Sequence, residues 1–261
     1  MTDKMLSRRE DRVGYVIFNN PERHNAVSLD MWKTTQKILD DFASDDQIRV
    51  VVLTGAGGKA FVSGADISKF EDERATQAAV AAYNATTDKL YSGLYQYSKP
   101  TIAMIRGYCL GGGVNLAIAC DLRIASDNAR FSVPAAKLGL GYGYSGLKRL
   151  VDLVGPAFAK EIFFTARQFS VTEAREMGLV NRVVPDGELE AYVKNYADTI
   201  AANAPLTVNS IKYIVGEVVK EESKRNLERA SELVAQCFAS RDYVEGRTAF
   251  MEKRKPVFTG S

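Results

Sequence analysis

Two short stretches hold the residues whose types and spacing can do chemistry: Phe61-Val62-Ser63-Gly64-Ala65-Asp66-Ile67, and Gly107-Tyr108-Cys109-Leu110-Gly111-Gly112-Gly113-Val114-Asn115. In the second, three glycines open the run Val114 to Cys120, which is apolar on every face except Asn115. A helix of that kind belongs inside a protein. Its first N–H groups have no intrahelical partner and point outward with the positive end of the dipole. Such a place binds an anion, or a carbonyl oxygen that becomes one.

The elements that must hold these turns are legible around them. Val13 to Phe18 and Val50 to Thr54 are short β-rich apolar runs and read as strands. Between them Ser28 can cap a helix through Phe42. Gly55 to Gly64 reads as a glycine-rich loop. Arg74 to Tyr97 reads as a long helix, ended by Lys99-Pro100. Thr101 to Ile105 is a predicted strand, Gly112 to Cys120 the buried helix, and Leu122 to Ala125 the next strand. This alternation predicts an α/β layer with parallel pairing.

Gly139 to Gly146 is a second loop of glycines and tyrosines. Leu147 to Val154, Phe158 to Phe164 and Thr172 to Met177 follow as short helices, with Val180 to Val184 as the last strand. Beyond Pro185 only helices are predicted: Leu189 to Ala201, Leu206 to Val219, Ser223 to Phe238 and Val244 to Lys253. Ile211, Ile214, Val215 and Val218 mark one apolar stripe, and Glu221 with Arg225 reads as an i,i+4 pair. We therefore divide the chain into a core, residues 1–200, and a helical region, 201–261, that packs on a neighbouring subunit.

Composition narrows the function classes. The 261 residues are 46% hydrophobic and 25% charged, ordinary globular usage that argues against disorder. A net charge of +2 gives no electrostatic case for nucleic acid. Cys109, Cys120 and Cys237 show neither a disulfide framework nor zinc spacing. The single histidine, His24, excludes a site that needs two imidazoles. Met1 to Asp11 is charged and lacks an apolar core for export. The uncharged run Gly107 to Cys120 is too short to span a bilayer. The expectation is a soluble, cytoplasmic protein with no membrane partner.

Further residues complete a recognisable order: Asn20-Pro21-Glu22-Arg23-His24-Asn25-Ala26, Gly64-Ala65-Asp66-Ile67, Lys99-Pro100, Gly107-Tyr108, Leu110-Gly111-Gly112-Gly113, Cys120-Asp121, Leu138-Gly139, Ala174 to Asn181, and Glu252-Lys253-Arg254-Lys255-Pro256. In this order the chain resembles the crotonase superfamily, the enoyl-CoA hydratase/isomerase group. The resemblance implies an α/β fold built as a spiral of ββα turns, with a C-terminal helical region for oligomerisation. It implies an acyl-CoA substrate, with coenzyme A as part of that substrate and no prosthetic group or metal. A homotrimer, or a hexamer made of two trimers, is implied as well. Carried over by position, the N–H groups of Ala65 and Gly112 are the oxyanion donors for the thioester oxygen. Arg23, Ala26, Asp66 and Ile67 are the implied contacts to coenzyme A, and the basic cluster Lys253-Arg254-Lys255 is either a further one or a solvated helix end.

Two departures bear on the reaction. Hydratases of the family carry one glutamate after the three-glycine turn and another after a Phe-x-x-Pro pattern. Here those places hold Asn115 and, after Phe131-Ser132-Val133-Pro134, Ala135. Adding water to a double bond needs one proton taken and one delivered, and neither residue titrates. Efficient hydration of crotonyl-CoA is therefore not expected. Asn115 is a candidate to hold a water or a polar group of the substrate, or is a buried amide satisfied by backbone.

The loop Leu140-Gly141-Tyr142-Gly143-Tyr144-Ser145-Gly146 is the other departure. Tyr142 aligns with a tyrosine of the methylmalonyl-CoA decarboxylase branch, which this chain also resembles in its Asp242-to-Gly246 run. That branch has a histidine where this chain has Ala65. The alternatives are thus a decarboxylase of a malonyl-type acyl-CoA, assisted by Tyr142, and a non-catalytic acyl-CoA binder. Asp121 and Cys109 read as structural residues.

Overall fold

The computed structural model describes residues 2–69, 73 and 75–261. Its strands are β1 (Met5–Glu10), β2 (Val13–Phe18), β3 (Val50–Gly55), β4 (Ala60–Val62), β5 (Thr101–Ile105), β6 (Tyr108–Leu110), β7 (Leu122–Ser126), β8 (Arg130–Ser132), β9 (Phe169–Ser170) and β10 (Arg182–Val184). They form a six-stranded sheet in the order β1-β2-β3-β5-β7-β10 and a four-stranded sheet in the order β4-β6-β8-β9. Only β1–β2 and β8–β9 pair antiparallel among these strands. Successive pairs β3/β4, β5/β6 and β7/β8 each give one strand to each sheet. That repeat is the spiral of ββα turns.

Alternation along the strands explains the layers. Val51 and Leu53 face the main core with Phe18, Trp32, Leu39 and Phe61. Val50 and Val52 face a second core with Tyr15, Ile102, Ile124, Leu189 and Val193. A strand apolar on both faces belongs to a covered, parallel sheet. The helix over the second face, Leu189–Ala202, buries Leu189, Val193, Ala197 and Ala201.

The helices are α1 (Leu29–Ser44), α2 (Gln77–Tyr95), α3 (Gly112–Ala119), α4 (Tyr144–Thr165), α5 (Val171–Glu176), α6 (Leu189–Ala202), α7 (Pro205–Val218), α8 (Leu227–Ala239) and α9 (Arg241–Met251). Ser28 caps α1 as predicted, its hydroxyl accepting from the Met31 N–H. Thr76 caps α2 in the same way through the Ala79 N–H. The expected start of that helix, Arg74, lies outside the described residues, as does Met1 of the N-terminal segment.

Several expectations are corrected. Gly55 to Gly64 contains a strand, β4, and Tyr108–Leu110 is a strand, β6, leading into the glycine turn. Both are three residues long, too short to show alternation. The charged Met5–Glu10 segment is an edge strand, where Arg8, Arg9 and Glu10 blunt the open edge. Helix α4 begins at Tyr144, inside the predicted loop, and bends at Gly155 (φ +75°) before Pro156. Glu221 pairs with Lys224 at 2.8 Å instead of Arg225. Glu222–Lys224 is a 3₁₀ turn, which stacks residues three apart rather than four. The stripe on α7 faces outward, with Ile211, Val215 and Val218 exposed.

Candidate active site

The site lies at the carboxyl ends of three adjacent parallel strands. Ala65 follows β4, Gly112 follows β6 and Ala135 follows β8. Ligands commonly bind beyond this end of parallel strands, where the connecting loops converge.

Ala65 sits in a single bridge with Val27. The Val27 N–H donates to the Gly64 carbonyl at 2.9 Å, and the Asp66 N–H donates to the Val27 carbonyl at 3.0 Å. Successive peptide groups of an extended chain point in opposite directions, so the N–H of Ala65 turns away from Val27. It meets no backbone acceptor among the described residues. Gly64 makes the reversal possible, with φ +108°.

Gly111 enters the second turn with φ +53°, its N–H donating to the Ser132 carbonyl at 2.8 Å. Its own carbonyl takes the N–H groups of Val114 and Asn115. The N–H of Gly112, first residue of α3, is left without a backbone acceptor among the described residues. The two turns abut: a Cβ on Gly64 would lie 3.8 Å from the Gly112 nitrogen, and a Cβ on Gly112 3.9 Å from the Gly64 Cα. Ala65 and Gly112 are both half-buried, so the wall formed by the two turns is partly open to solvent.

Aromatic side chains close the rear of this wall. The Tyr91 hydroxyl donates to the Gly112 carbonyl at 3.3 Å. Its ring stands edge-on to Trp32 at 5.6 Å, and the Trp32 Nε1–H donates to the Tyr83 hydroxyl at 3.0 Å. Burial raises the Tyr91 phenol well above its ordinary range, with Tyr142 and Tyr83 adding to the effect. In the sequence these aromatic positions show only as a helical period. The spacing of Tyr83, Thr87, Tyr91 and Leu94 marks the buried side of α2 but does not say what that side touches.

Asn115 and Tyr142 are brought together from separate elements. The Asn115 Nδ2 donates to the Tyr142 hydroxyl at 3.1 Å. Phe163 meets the Tyr142 ring at 4.7 Å and 71°. Burial pushes the Tyr142 phenol up to about 12, against the opposing hydrogen bond from Asn115. Tyr142 is therefore a neutral donor at physiological pH. Tyr144, its companion in the loop, is 78% exposed and takes no part. Ala135 is buried, its carbonyl accepts from the Leu140 N–H at 3.0 Å, and its methyl supplies no proton chemistry.

The rim beside Ala65 carries Arg23, Ala26, Asp66 and Ile67. The Val27–Ala65 bridge sets their two segments side by side. Arg23 donates to the buried Asp66 carboxylate at 3.1 Å and to the Ser68 hydroxyl. Burial acts to raise the Asp66 carboxyl, but Ser68 and Arg23 outweigh it and hold it below its usual range. Asp66 also accepts from the Ser68 N–H, capping the short Ile67–Lys69 turn. Ile67 is 63% exposed, an apolar surface beside a guanidinium that is itself half-exposed. Arg254 is spent on both oxygens of Glu245, at 2.6 and 2.8 Å. Asp121 accepts from the Thr101 N–H and pairs with Lys212, as a structural residue does.

Among the described residues, no three His, Cys, Asp or Glu side chains gather to hold a metal, and no helix is long and apolar enough to cross a membrane. Cys109 and Cys120 are buried; burial raises both thiols, Cys120 to about 12. Both should resist iodoacetamide in the native protein and react only after unfolding. Peptide mapping of alkylated protein checks this, and rapid native labelling of Cys109 would reopen a nucleophilic role.

A family model described as enoyl-CoA hydratase/isomerase matches residues 8–261. A short-chain-enoyl-CoA hydratase of Clostridium acetobutylicum is 36% identical over 97% of this chain and 96% of its own length. A crotonyl-CoA hydratase of Syntrophomonas wolfei is 34% identical over 98% of each chain. Among solved structures, an enoyl-CoA hydratase/carnithine racemase from Magnetospirillum magneticum superposes with a TM-score of 0.95 at 36% identity, covering 100% of this chain and 97% of that one.

Proposed function

Because the chain belongs to the enoyl-CoA hydratase/isomerase family, also called the crotonase superfamily, we propose that it binds an acyl-CoA and stabilises the enolate of its thioester with the N–H groups of Ala65 and Gly112. The observation that carries this reading is the pair of amides, on half-buried residues of abutting turns, that have no backbone acceptor among the described residues. An enolate concentrates negative charge on one oxygen. Two fixed amides oppose that charge without reorganising as it develops. Ala26 and Ile67 are taken as the walls for the pantetheine and adenine, and Arg23 as a contact to phosphate.

The relatives from Clostridium and Syntrophomonas are hydratases, and this site departs from hydration at two residues. Asn115 and Ala135 supply no carboxylate to activate water or to protonate carbon. Positioned acid–base groups contribute on the order of 10²–10⁴-fold. Crotonyl-CoA hydration should therefore run slower than a carboxylate-equipped site by roughly that factor. Steady-state loss of the enoyl absorbance at neutral pH measures it. Turnover at the level of a good hydratase would show that another group supplies the protons.

The Tyr142–Asn115 pair favours a second reading, decarboxylation of a malonyl-type acyl-CoA. Heterolysis of the bond between Cα and the carboxylate releases CO2 and leaves its electron pair as the enolate. No base is needed; a proton on Cα completes the product. Mass spectrometry after incubation with methylmalonyl-CoA distinguishes propionyl-CoA from unchanged thioester. Binding of both thioesters without conversion of either would leave a non-catalytic binder.

The C-terminal helices are taken as the contact of a trimer or hexamer. In support, α8 buries none of its residues within the chain, and Leu227, Phe238, Val244 and Phe250 are exposed on α8 and α9.

A further inference from the structure

Tyr142 and Asn115 are joined by the one polar bond either side chain makes among the described residues. The direction of that bond has a chemical consequence. Asn115 donates, so the phenol oxygen accepts, and its own proton has no acceptor among the described residues. Phe163 packs edge-on against the ring at 4.7 Å, and the amide N–H occupies the direction back toward α3. The carboxamide lies against Gly146 at the start of α4, where a Cβ would stand 3.5 Å from its oxygen. Neither side chain bonds to a charged group among the described residues; the other titratable side chain in electrostatic contact is the buried phenol of Tyr91.

We propose that Asn115 is a positioning residue that fixes the Tyr142 hydroxyl as a donor toward the acyl group, so that the pair selects acyl-CoA substrates bearing a hydrogen-bond acceptor, such as a carboxylate, on Cα. This rests on the enolate reading above and on its decarboxylase form. A neutral donor suits a carboxylate that must leave as CO2. A lysine or arginine there would stabilise the starting carboxylate more than the charge-depleted transition state and so raise the barrier.

The test uses the full chain and the variants Tyr142→Phe, Asn115→Leu and Asn115→Asp, with methylmalonyl-CoA as probe. Tyr142→Phe should raise KM for the probe by about 10–100-fold with kcat little changed, the effect of losing a hydrogen bond to a charged group in the ground state. Asn115→Leu should raise it by roughly 10-fold alone and by no more than about twofold on top of Tyr142→Phe, because nothing is left to position. Asn115→Asp gives the sharper sign. Its ionised carboxylate would accept the phenol's hydrogen bond and turn the donor away from the acyl group, so activity should rise as the pH falls and the carboxyl protonates. The limb should vanish when Asn115→Asp is combined with Tyr142→Phe, where a charge that merely repelled the substrate would keep it. Multiplying effects in the double variant, or an Asn115→Asp profile parallel to that of the unaltered protein, would overturn the proposal.

Should the unaltered protein release no CO2 from the probe, the decarboxylase reading fails, and the positioning role is judged without turnover. Tyrosine labelled with ¹³C at Cζ reports each phenol, and Tyr142→Phe identifies the Tyr142 signal. That signal should move on Asn115→Leu at neutral pH. An unmoved signal overturns the role.

Discussion

Replacing Gly112 by proline should lower turnover of the acyl-CoA that the protein converts by about 10²–10³-fold, the cost of one oxyanion donor. Proline is the informative choice because it deletes the N–H and puts a ring carbon where the thioester oxygen would sit. Gly112 is the first residue of α3, a position that takes proline readily, since its N–H serves no intrahelical bond. The preceding Gly111 has the conformational freedom to sit before it. Gly112→Ala is the control that keeps the donor. Its Cβ would lie 3.2 Å from the Tyr91 hydroxyl and 3.6 Å from Trp32, a tight fit that a small shift of the phenol relieves. The alanine variant should therefore lose much less than the proline variant. Single-turnover rates at saturating thioester, with circular dichroism to confirm folding, make the comparison. A folded proline variant with near-normal rates would remove Gly112 from the mechanism.

Gly113→Ala should do more damage to the fold than any exposed substitution. Glycine to alanine inside a helix ordinarily stabilises by up to about 1 kcal/mol. Here the added Cβ would stand 2.1 Å from the Val62 carbonyl oxygen and 3.0 Å from its carbon. Both sides of the clash are backbone, so no side chain can rotate clear. Overpacking costs about 1–3 kcal/mol and occasionally more, and this contact belongs at the upper end. A loss near 3 kcal/mol corresponds to a fall in Tm of roughly 6–12 °C for a domain of about this size. Urea unfolding gives the free energy directly. Activity should fall below what the residual folded fraction explains, because relieving the clash pushes α3 off β4 and separates the donor on Gly112 from the one three residues beyond Val62. A variant as stable as the parent would mean that the seat of α3 is looser than the structure shows.

The parts of this architecture that the chain spelled out locally were those with a period or a cap. The runs Val13–Phe18 and Val50–Thr54 and the Ser28 cap each carry their own signal, and each appears in place. The second sheet did not announce itself. Its strands β4, β6 and β8 are three residues long and lean on glycine turns, so only their pairing with one another makes them strands. The glycine turn at α3 reads as a candidate anion site because helix ends have a fixed polarity. That Ala65 joins it depends on the Val27 bridge, a contact across 38 residues that no local pattern encodes. Tyr142 stood out as a tyrosine among glycines; that it points inward while Tyr144 faces solvent is decided by where α4 begins. The buried phenols Tyr83 and Tyr91 were visible only as a helical period.

The placement of Ala65, Gly112 and Ala135 after three neighbouring strands has a further consequence. On the reading proposed above, the grip on the thioester comes from Ala65 and Gly112, while Ala135 and Tyr142 meet the acyl group from the next coil. Residues 63–65 and 111–113 can stay as they are while the segment 133–146, at the next coil, is rewritten. A lineage built this way can exchange one reaction for another without rebuilding its hold on the common handle. Transplanting an acidic residue into position 135, or stripping the phenol from 142, is thus an edit to an interchangeable module rather than to the foundation.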